Sequence, residues 1–379
     1  MKHESSPPTK IYRPSRTAKS YQLSRGEDSS PLSGNRRLGP RIAVIGGGTG
    51  LSTMLKGLKE YTDHITAIVT MADDGGGSGV LRSDLGMLPP GDIRNCISAL
   101  ANTEPTLRRL LDYRFTEGRN KGQSFGNLFL AALNGIYGSF EEAVIRMGEV
   151  LAITGRVMPV TTTNINLRAE LVDGSTVLGE SKICAHKQAH NCRIHRISLV
   201  PAHPPALPRA LEAIAQADII VLGPGSLYTS IIPNLLVDGI SQAIADSGAF
   251  KIYILNIMTQ IGETEGYTAF DHVQALMDHS HASILNLCLY NTAPIKGKFL
   301  AQYAREGSEP VQIDPEPFRR HRIKLAGYPL VSHGTEYARH DPMQLSRALL
   351  LEFLAHRKRT GLSGAYDALL HKELSGESR

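Results

Sequence analysis

The sequence predicts an α/β fold, a doubly wound and mostly parallel sheet of the Rossmann-like type with an inserted antiparallel β piece. An apolar run of β-branched residues at 41–45 stops at a glycine turn, 46–50, and residues 51–58 then follow helical spacing. The strand-like runs 65–71 and 218–223 also end in glycine-rich turns. Strand, glycine turn and helix in this order are typical of the opening of a doubly wound sheet.

The remaining elements are predicted from the same periodicities. Predicted helices lie at about 92–100, 127–133, 141–151, 208–216, 230–245, 268–279 and 341–358, and further strands lie at 251–257 and 284–290. The middle of the chain differs, because alternating residues flank an Asp-Gly-Ser turn at 173–175 and strand-like alternation returns at 194–200. This pattern predicts a β-hairpin and an antiparallel piece inserted at about 157–200.

Three segments follow from this arrangement. Residues 1–40 are predicted to be a disordered basic leader, because they are rich in Ser, Pro and charge. Residues 41–360 are predicted to form a single α/β nucleotide-binding domain that includes the insertion. Residues 361–379 are assigned to a C-terminal tail.

The excess charge lies entirely in the leader. The chain of 379 residues has a net charge of +5, and residues 1–40 hold eight Lys or Arg against three Asp or Glu. The remainder therefore carries 33 basic and 33 acidic residues. A balanced body lacks the basic footprint of a nucleic-acid binder, so we expect no nucleic-acid partner.

Composition also indicates the compartment. No run of eighteen or more apolar residues is present, which argues against a membrane-spanning segment. The N-terminus has no apolar stretch of the kind found in secretory signals. Four cysteines in 379 residues do not form a disulfide framework. We therefore expect a cytoplasmic protein.

Four glycine- and hydroxyl-rich segments, 46–52, 73–82, 223–230 and 256–267, are predicted at the carboxyl edge of the sheet. Ligands of open α/β sheets bind at this edge, where glycine lets backbone N–H groups approach a phosphate and a helix N-terminus adds positive charge. The candidate nucleotide-binding residues from these segments and the adjoining helices are Gly46, Gly47, Gly48, Thr49, Gly50, Asp73, Asp74, Ser78, Arg94, Asn95, Asn127, Gly223, Gly225, Ser226, Thr229, Asn256, Thr259 and Gln260.

Three carboxylates near these loops have alternative roles. Asp73 and Asp74 stand where the second predicted strand ends, and they are candidates to hold a ribose hydroxyl, a magnesium ion or only a turn. Asp92 is a candidate for the same metal or for the N-cap of its helix. Arg82 and Arg94 follow closely, and each is a candidate to pair with these acids or to bind a phosphate.

A cluster of metal-ligand residue types lies in the insertion, at Cys184, His186, His190 and Cys192. The separation of the two cysteines does not match a zinc knuckle. A polar surface loop is therefore the favoured interpretation, with a metal site as the alternative.

Five ordered motifs resemble the gluconeogenesis factor family, which is related to 2-phospho-L-lactate transferase. They are IGGGTGL at 45–51, ADDGGGSG at 72–79, LPPGDIRN at 88–95, GPGSLYTSIIPNLL at 223–236 and NIMTQ at 256–260 with the following GETEGY. The sequence departs from the family pattern at Ile261, where proline is usual, and at Gly77, where serine is usual.

The resemblance implies a cytoplasmic regulator that binds a UDP-sugar, notably UDP-N-acetylglucosamine. Such proteins support cell shape and wall-precursor supply during gluconeogenic growth, which implies a wall-precursor enzyme as partner. In the transferase branch, acids matching Asp74 and Asp92 hold magnesium, and a tyrosine matching Tyr267 contacts the sugar nucleotide.

Three functions from different classes remain open at this point. The first is the sugar-nucleotide-binding regulator, which we expect to form a homo-oligomer. The second is a magnesium-dependent transferase of the 2-phospho-L-lactate transferase type, in which Asp74 and Asp92 are the candidate catalytic residues. The third is a nicotinamide-dependent oxidoreductase, which is disfavoured because Leu51 breaks the G-x-G-x-x-G fingerprint.

Overall fold

Seven parallel strands form the central sheet of the computed structural model, which describes residues 38–190, 192–332 and 337–375. The order of strands across this sheet is β10-β9-β8-β7-β1-β2-β3. The strands of the described chain are β1 Ile42–Gly46, β2 Ile65–Val69, β3 Arg156–Pro159, β4 Asn166–Leu171, β5 Thr176–Leu178, β6 Ile194–Val200, β7 Ile219–Leu222, β8 Phe250–Ile254, β9 Leu287–Asn291, β10 Lys324–Tyr328, β11 Val331–Ser332 and β12 Arg339–His340.

Helices cover both faces of the sheet, which confirms the predicted doubly wound α/β class. The α-helices of the described residues are α1 Gly48–Leu58, α2 Gly76–Leu85, α3 Gly91–Leu100, α4 Pro105–Asp112, α5 Phe125–Tyr137, α6 Phe140–Val150, α7 Glu180–His190, α8 Pro208–Gln216, α9 Ile232–Leu235, α10 Ile240–Asp246, α11 Ala269–Asp278, α12 Gly297–Arg305, α13 Pro315–Arg320, α14 Pro342–Arg359 and α15 Ala365–Ser375. None of the described helices is long and apolar enough to cross a membrane.

The central strands explain why short apolar runs predicted the sheet. All residues of β1, β7 and β8 are buried, because helices pack on both faces of a parallel sheet. Strand β1 lies between β2 and β7, with Ile45 opposite Ile68 and Leu222. The chain runs from β1 to β3 in one direction and from β7 to β10 in the other. The topological switch point of the sheet therefore lies between β1 and β7.

A separate three-stranded antiparallel sheet, β5-β4-β6, confirms the predicted insertion but not its start. The predicted boundary at 157 is wrong, because Arg156–Pro159 pairs in parallel with β2 and forms the edge of the main sheet. The antiparallel piece begins at Asn166. Neighbouring strands of similar composition carry no local signal for the sheet that each will join, because strand pairing is set by non-local packing.

Two predicted elements differ in the structure. The helix predicted over 230–245 is divided into a π-helical turn at Leu227–Ile231, α9 and α10, and Gly239 has a φ of +87° in the break before α10. The Cys/His segment is not a surface loop, because residues 180–190 form α7. The side chains of 184 and 190 lie outside the described part, so the predicted metal alternative there is untested.

The predicted tail at 361–379 is also corrected. Helix α15 packs on the domain, where Leu370 and Leu374 are buried and the Tyr366 hydroxyl donates to the Tyr61 carbonyl at 3.3 Å. Its weak apolar pattern did not distinguish it from a tail. Residues 1–37 of the predicted leader and residues 376–379 lie outside the described residues.

Replacing Leu370 with Ala should therefore destabilise the domain by about 2–5 kcal/mol, the usual effect of emptying a buried leucine site. The neighbouring Leu369 is 49% exposed and provides the matched control, since Leu369→Ala should stay within about 0.5 kcal/mol. Urea unfolding of both variants measures the difference. Equal stabilities would show that α15 does not contribute to the domain.

Candidate functional site

A cleft of about 670 Å3 opens at the carboxyl ends of β1, β7 and β8, at the topological switch point. It contains many of the residues predicted from the glycine-rich loops. The predicted residues that line it are Gly48, Thr49, Gly50, Asp73, Asp92, Gly225, Ser226, Thr229, Asn256, Thr259 and Gln260. The sequence therefore identified the floor of this cleft.

A larger groove of about 830 Å3 lies at the opposite edge of the sheet, between α6 and α8. It is lined by the first residues of β1, β2 and β3, and none of the predicted site residues lies in it. Ligands of open α/β sheets bind outside the carboxyl ends of the strands. We therefore regard the smaller cleft as the functional site.

The loops after β1 and β7 contact each other through their backbones. A Cβ on Gly50 would lie 2.7 Å from the Pro224 carbonyl oxygen, and a Cβ on Gly225 would lie 3.1 Å from the Gly47 carbonyl oxygen. Gly48 has a φ of +69°, a conformation that favours glycine. These positions require glycine because two loops and the start of α1 share one small volume.

Asn234 joins the same two loops from below. It is fully buried, and its Nδ2 donates to the Gly46 carbonyl at 3.2 Å and to the Ser230 carbonyl at 2.8 Å. Because Gly46 ends β1 and Ser230 follows β7, this amide fixes the two loops relative to each other.

Glu263 fixes the loop after β7 to the loop after β8. Its buried carboxylate accepts hydrogen bonds from the Tyr228 amide at 3.0 Å, the Thr229 hydroxyl at 2.8 Å and the Gln260 side-chain amide at 3.3 Å. Ser226 adds a second link, since its hydroxyl donates to Gln260 Oε1 at 2.8 Å. A buried carboxylate needs several donors, and here two loops provide them.

Asp92 contacts the start of α1 instead of capping its own helix. The N-cap of α3 is Pro90, so the predicted N-cap role is wrong. Asp92 Oδ2 accepts a hydrogen bond from the Gly48 amide at 2.7 Å. Burial raises the pKa of Asp92 to about 6, and the hydrogen bond from Gly48 opposes this rise while the charge of Asp73 adds to it.

Of the two adjacent acids, Asp73 lines the cleft with Asp92, whereas Asp74 does not line it. Asp73 Oδ1 accepts from the Gly75 amide at 2.9 Å, and Asp73 lines the cleft. Asp74 is directed away from it and accepts a hydrogen bond from the Ser181 amide at 2.8 Å, at the start of α7. The predicted pair Asp74 and Asp92 is therefore not brought together on the cleft.

Several other predicted residues support the fold instead of lining the cleft. Arg94 donates to Asn127 Oδ1 at 3.3 Å and to Asp112 at 3.1 Å, so it is not placed to bind a phosphate. Arg82 donates to Asn166 Oδ1 at 3.0 Å and joins α2 to β4. The predicted residues that do not line the cleft are Gly46, Gly47, Asp74, Ser78, Arg94, Asn95, Asn127, Gly223 and Tyr267.

Tyr267 packs in an aromatic cluster beside the cleft. Its hydroxyl lies 2.8 Å from the Tyr228 hydroxyl, and its ring meets the edge of His272 at 5.6 Å. The Arg193 guanidinium lies 5.8 Å from the centre of the same ring. In this arrangement Tyr267 contacts the loop that carries Tyr228. It is not among the described residues that line the cleft.

The sequence missed the outer walls of the cleft. One wall comes from α12 and the segment after it, and another comes from β12. Tyr303 of α12 and Arg339 of β12 line the cleft, as do Glu180 of α7 and Thr70 after β2, and the sequence singled out none of the four. The Thr70 hydroxyl is buried and has no hydrogen-bond partner among the residues that the structure describes. No glycine-rich motif marks these positions, and only their polar or aromatic type could have drawn attention to them.

Comparison with known proteins decides the family. Residues 42–331 match the family model of 2-phospho-L-lactate transferase CofD. A protein of Thermoanaerobacterium thermosulfurigenes named "putative gluconeogenesis factor" is 55% identical over 312 residues, covering 82% of this chain and 96% of its own. The chain belongs to the gluconeogenesis factor family. The predicted resemblance is thereby confirmed.

Two further members support this assignment. The gluconeogenesis factor of Bacillus subtilis (strain 168) is 43% identical over 316 residues, covering 83% of this chain and 98% of its own. A crystal structure of a Bacillus halodurans protein is 44% identical with a TM-score of 0.79, and the match covers 82% of this chain and 99% of that one. The present chain therefore shares its α/β fold with the Bacillus halodurans protein.

The tight contact of the two loops can be tested at Gly50. Alanine is the better helix former, but Gly50→Ala should destabilise the protein by about 1–3 kcal/mol because its methyl group meets the Pro224 carbonyl. Gly135 in α5 has no atom within 4 Å of its Cβ position and provides the control. Gly135→Ala should be neutral or stabilising by up to about 1 kcal/mol. The melting temperature of Gly50→Ala should therefore lie below that of the wild type, and that of Gly135→Ala should lie at or above it.

Proposed function

We propose that this protein is a cytoplasmic regulator that binds a sugar nucleotide, specifically a UDP-sugar such as UDP-N-acetylglucosamine, in the cleft between β1 and β7. The observation that carries the proposal is the position of the start of α1, an 11-residue helix, beside the glycine loops at the switch point. Backbone N–H groups and the positive end of a helix dipole favour a diphosphate there.

The rest of the cleft suits the sugar and the base. Ile257 and Met258 provide apolar surface, Tyr303 provides an aromatic side chain, and Asn256 provides amide donors and acceptors. A volume of about 670 Å3 is large enough for a ligand of this size. Arg339 is the only Lys or Arg among the described residues that line the cleft, and it suits a phosphate oxygen.

Asp73 and Asp92 fit a magnesium ion that arrives with the ligand. Mg²⁺ is usually held by one or two carboxylates together with substrate phosphates, and both of these carboxylates line the cleft. A bound ion would neutralise the repulsion between these carboxylates and a diphosphate.

The regulatory role rests on the family. Relatives named gluconeogenesis factor are close in sequence over nearly their whole length. We infer that ligand binding adjusts wall-precursor supply, and with it cell shape, through a partner enzyme, and that the protein acts as a homo-oligomer.

The second candidate is a magnesium-dependent transferase of the 2-phospho-L-lactate transferase type. The shared position of Asp73 and Asp92 on the cleft favours it, together with the match to that family model. When bound, magnesium would polarise phosphate oxygens, while the N-terminus of α1 would orient the diphosphate.

Ligand binding is tested by isothermal titration calorimetry with UDP-N-acetylglucosamine and NAD. We expect the UDP-sugar to bind more tightly than NAD, and Arg339→Ala to weaken it about 10–100-fold through loss of a charged hydrogen bond. Arg305 is exposed on α12 outside the cleft, so Arg305→Ala should leave the affinity within about twofold. Tighter NAD binding would contradict the proposal.

Regulator and transferase are separated by turnover. If the protein is a regulator, the wild type should bind UDP-N-acetylglucosamine with Mg²⁺ and release no UMP, UDP or phosphate, and Asp92→Asn should change only the affinity. A transferase should show magnesium-dependent cleavage or transfer that Asp92→Asn abolishes, because the metal acts mostly in the transition state. Chromatography of the reaction mixture distinguishes the two.

A further inference from the structure

Glu180 brings a carboxylate from the antiparallel insertion into the cleft. It is the first residue of α7, which follows β5 directly, and it lines the cleft together with Asp73 and Asp92. The insertion therefore contributes the Glu180 side chain to the cleft. The other lining residues come from the loops of the main sheet, from α12 and the segment after it, and from the region around β12.

Asp74 lies close to the residues before and after Glu180. Asp74 Oδ1 accepts a hydrogen bond from the Ser181 amide at 2.8 Å. Gly179 has a φ of +107°, and a Cβ there would lie 2.7 Å from Asp74 Oδ2. Asp74 thus holds the Ser181 backbone by a hydrogen bond and lies close against Gly179, so it is a structural residue beside Glu180.

The carboxylate of Glu180 lacks a protein partner. It is half-buried, and it makes no hydrogen bond or ion pair with the residues that the structure describes. Thr70 lines the same cleft, and its hydroxyl, on a residue that is only 2% exposed, also has no hydrogen-bond partner within the described part of the chain. Partly desolvated polar groups without partners are costly, so groups on a cleft wall point to a ligand that supplies the missing hydrogen bonds.

The surroundings of Glu180 select the kind of ligand group. Burial raises the pKa of Glu180 to about 7, and the charges of Asp73, Asp74, Glu263 and Asp92 add to this rise. A phosphate oxygen would be repelled by the Glu180 carboxylate itself. The carboxylate can instead accept a hydrogen bond from a neutral donor. In a sugar nucleotide, hydroxyl groups are the neutral donors that form the shortest hydrogen bonds to a carboxylate.

We propose that Glu180 accepts a hydrogen bond from a hydroxyl group of the bound sugar nucleotide, and that Asp74 is the positioning residue that holds Glu180 in place. This inference rests on the proposed function of the cleft. The hydroxyl belongs either to the sugar or to the ribose. Within the described residues no group of three or more His, Cys, Asp or Glu is arranged to hold a metal, which argues against Glu180 as a third ligand beside Asp73 and Asp92.

The test is calorimetric titration of full-length wild type and variants with UDP-N-acetylglucosamine, UDP and 2′-deoxy-UDP. Glu180→Ala should weaken UDP-N-acetylglucosamine at least tenfold, without lowering the melting temperature of the free protein, because a repelled carboxylate is removed. If the affinity for UDP is unchanged, the hydroxyl is on the sugar. If the affinity for UDP weakens equally, the hydroxyl is on the ribose, and it is the 2′-hydroxyl if 2′-deoxy-UDP binds both proteins alike or the 3′-hydroxyl if 2′-deoxy-UDP also weakens.

Asp74 is examined with paired substitutions. Asp74→Ala should weaken the same ligands as Glu180→Ala, whereas Asp74→Asn should restore most of the affinity, because its amide oxygen still accepts from Ser181 N. A magnesium ligand would show the opposite pattern, with Asp74→Asn losing magnesium-dependent binding. Glu170→Ala, an exposed position on β4, provides the control and should bind as wild type.

Two outcomes separate the inference from the proposed function. Wild type that binds UDP-N-acetylglucosamine while Glu180→Ala binds it equally or more tightly would overturn the role of Glu180 alone. Wild type that binds none of the three ligands would overturn the proposed function and this inference with it.

Discussion

The site depends on the contact between the loops that follow β1 and β7. Parallel register places Ile45 and Leu222 level with each other, so both loops leave the sheet at the same height and compete for one volume. Their backbones meet at Gly50 and Gly225, where a side chain would collide with a carbonyl oxygen. The glycines thus allow the two loop backbones to meet beside the start of α1.

Carboxylates around this contact divide into two kinds. Glu263 and Asp74 are occupied by protein donors and join loops to one another. Asp73 and Asp92 each use an oxygen on a glycine amide and still line the cleft, whereas Glu180 has no partner among the described residues. Glu263 and Asp74 therefore have structural roles. Beside the proposed anionic ligand, Asp73, Asp92 and Glu180 need a cation or a hydroxyl donor to offset their charge.

The sequence predicted the parallel core and the glycine floor because both leave local signals. A strand buried on both faces is an apolar run, and a crowded turn is a run of glycines. The order of strands, the edge position of β3 and the packing of α15 depend on contacts far along the chain, so no local pattern determined them. Spacing alone could not decide between Asp73 and Asp74, since adjacent side chains point in different directions. Glu180 lies in the insertion and Arg339 lies in the C-terminal region. No sequence motif around either residue indicated that it would line the cleft.

The packing of the outer wall of the cleft suits the proposed regulatory function. Ile257, Met258, Val331 and Ala338 form a small apolar cluster that is separate from the main core. Arg339 follows Ala338 of this cluster and lines the cleft, so the proposed diphosphate, bound to both Arg339 and the start of α1, would link the cluster to the main domain. The binding free energy is then available to stabilise one arrangement of the wall, as a ligand-driven population shift requires. Under the proposed function, such a shift would let a partner enzyme recognise the bound state.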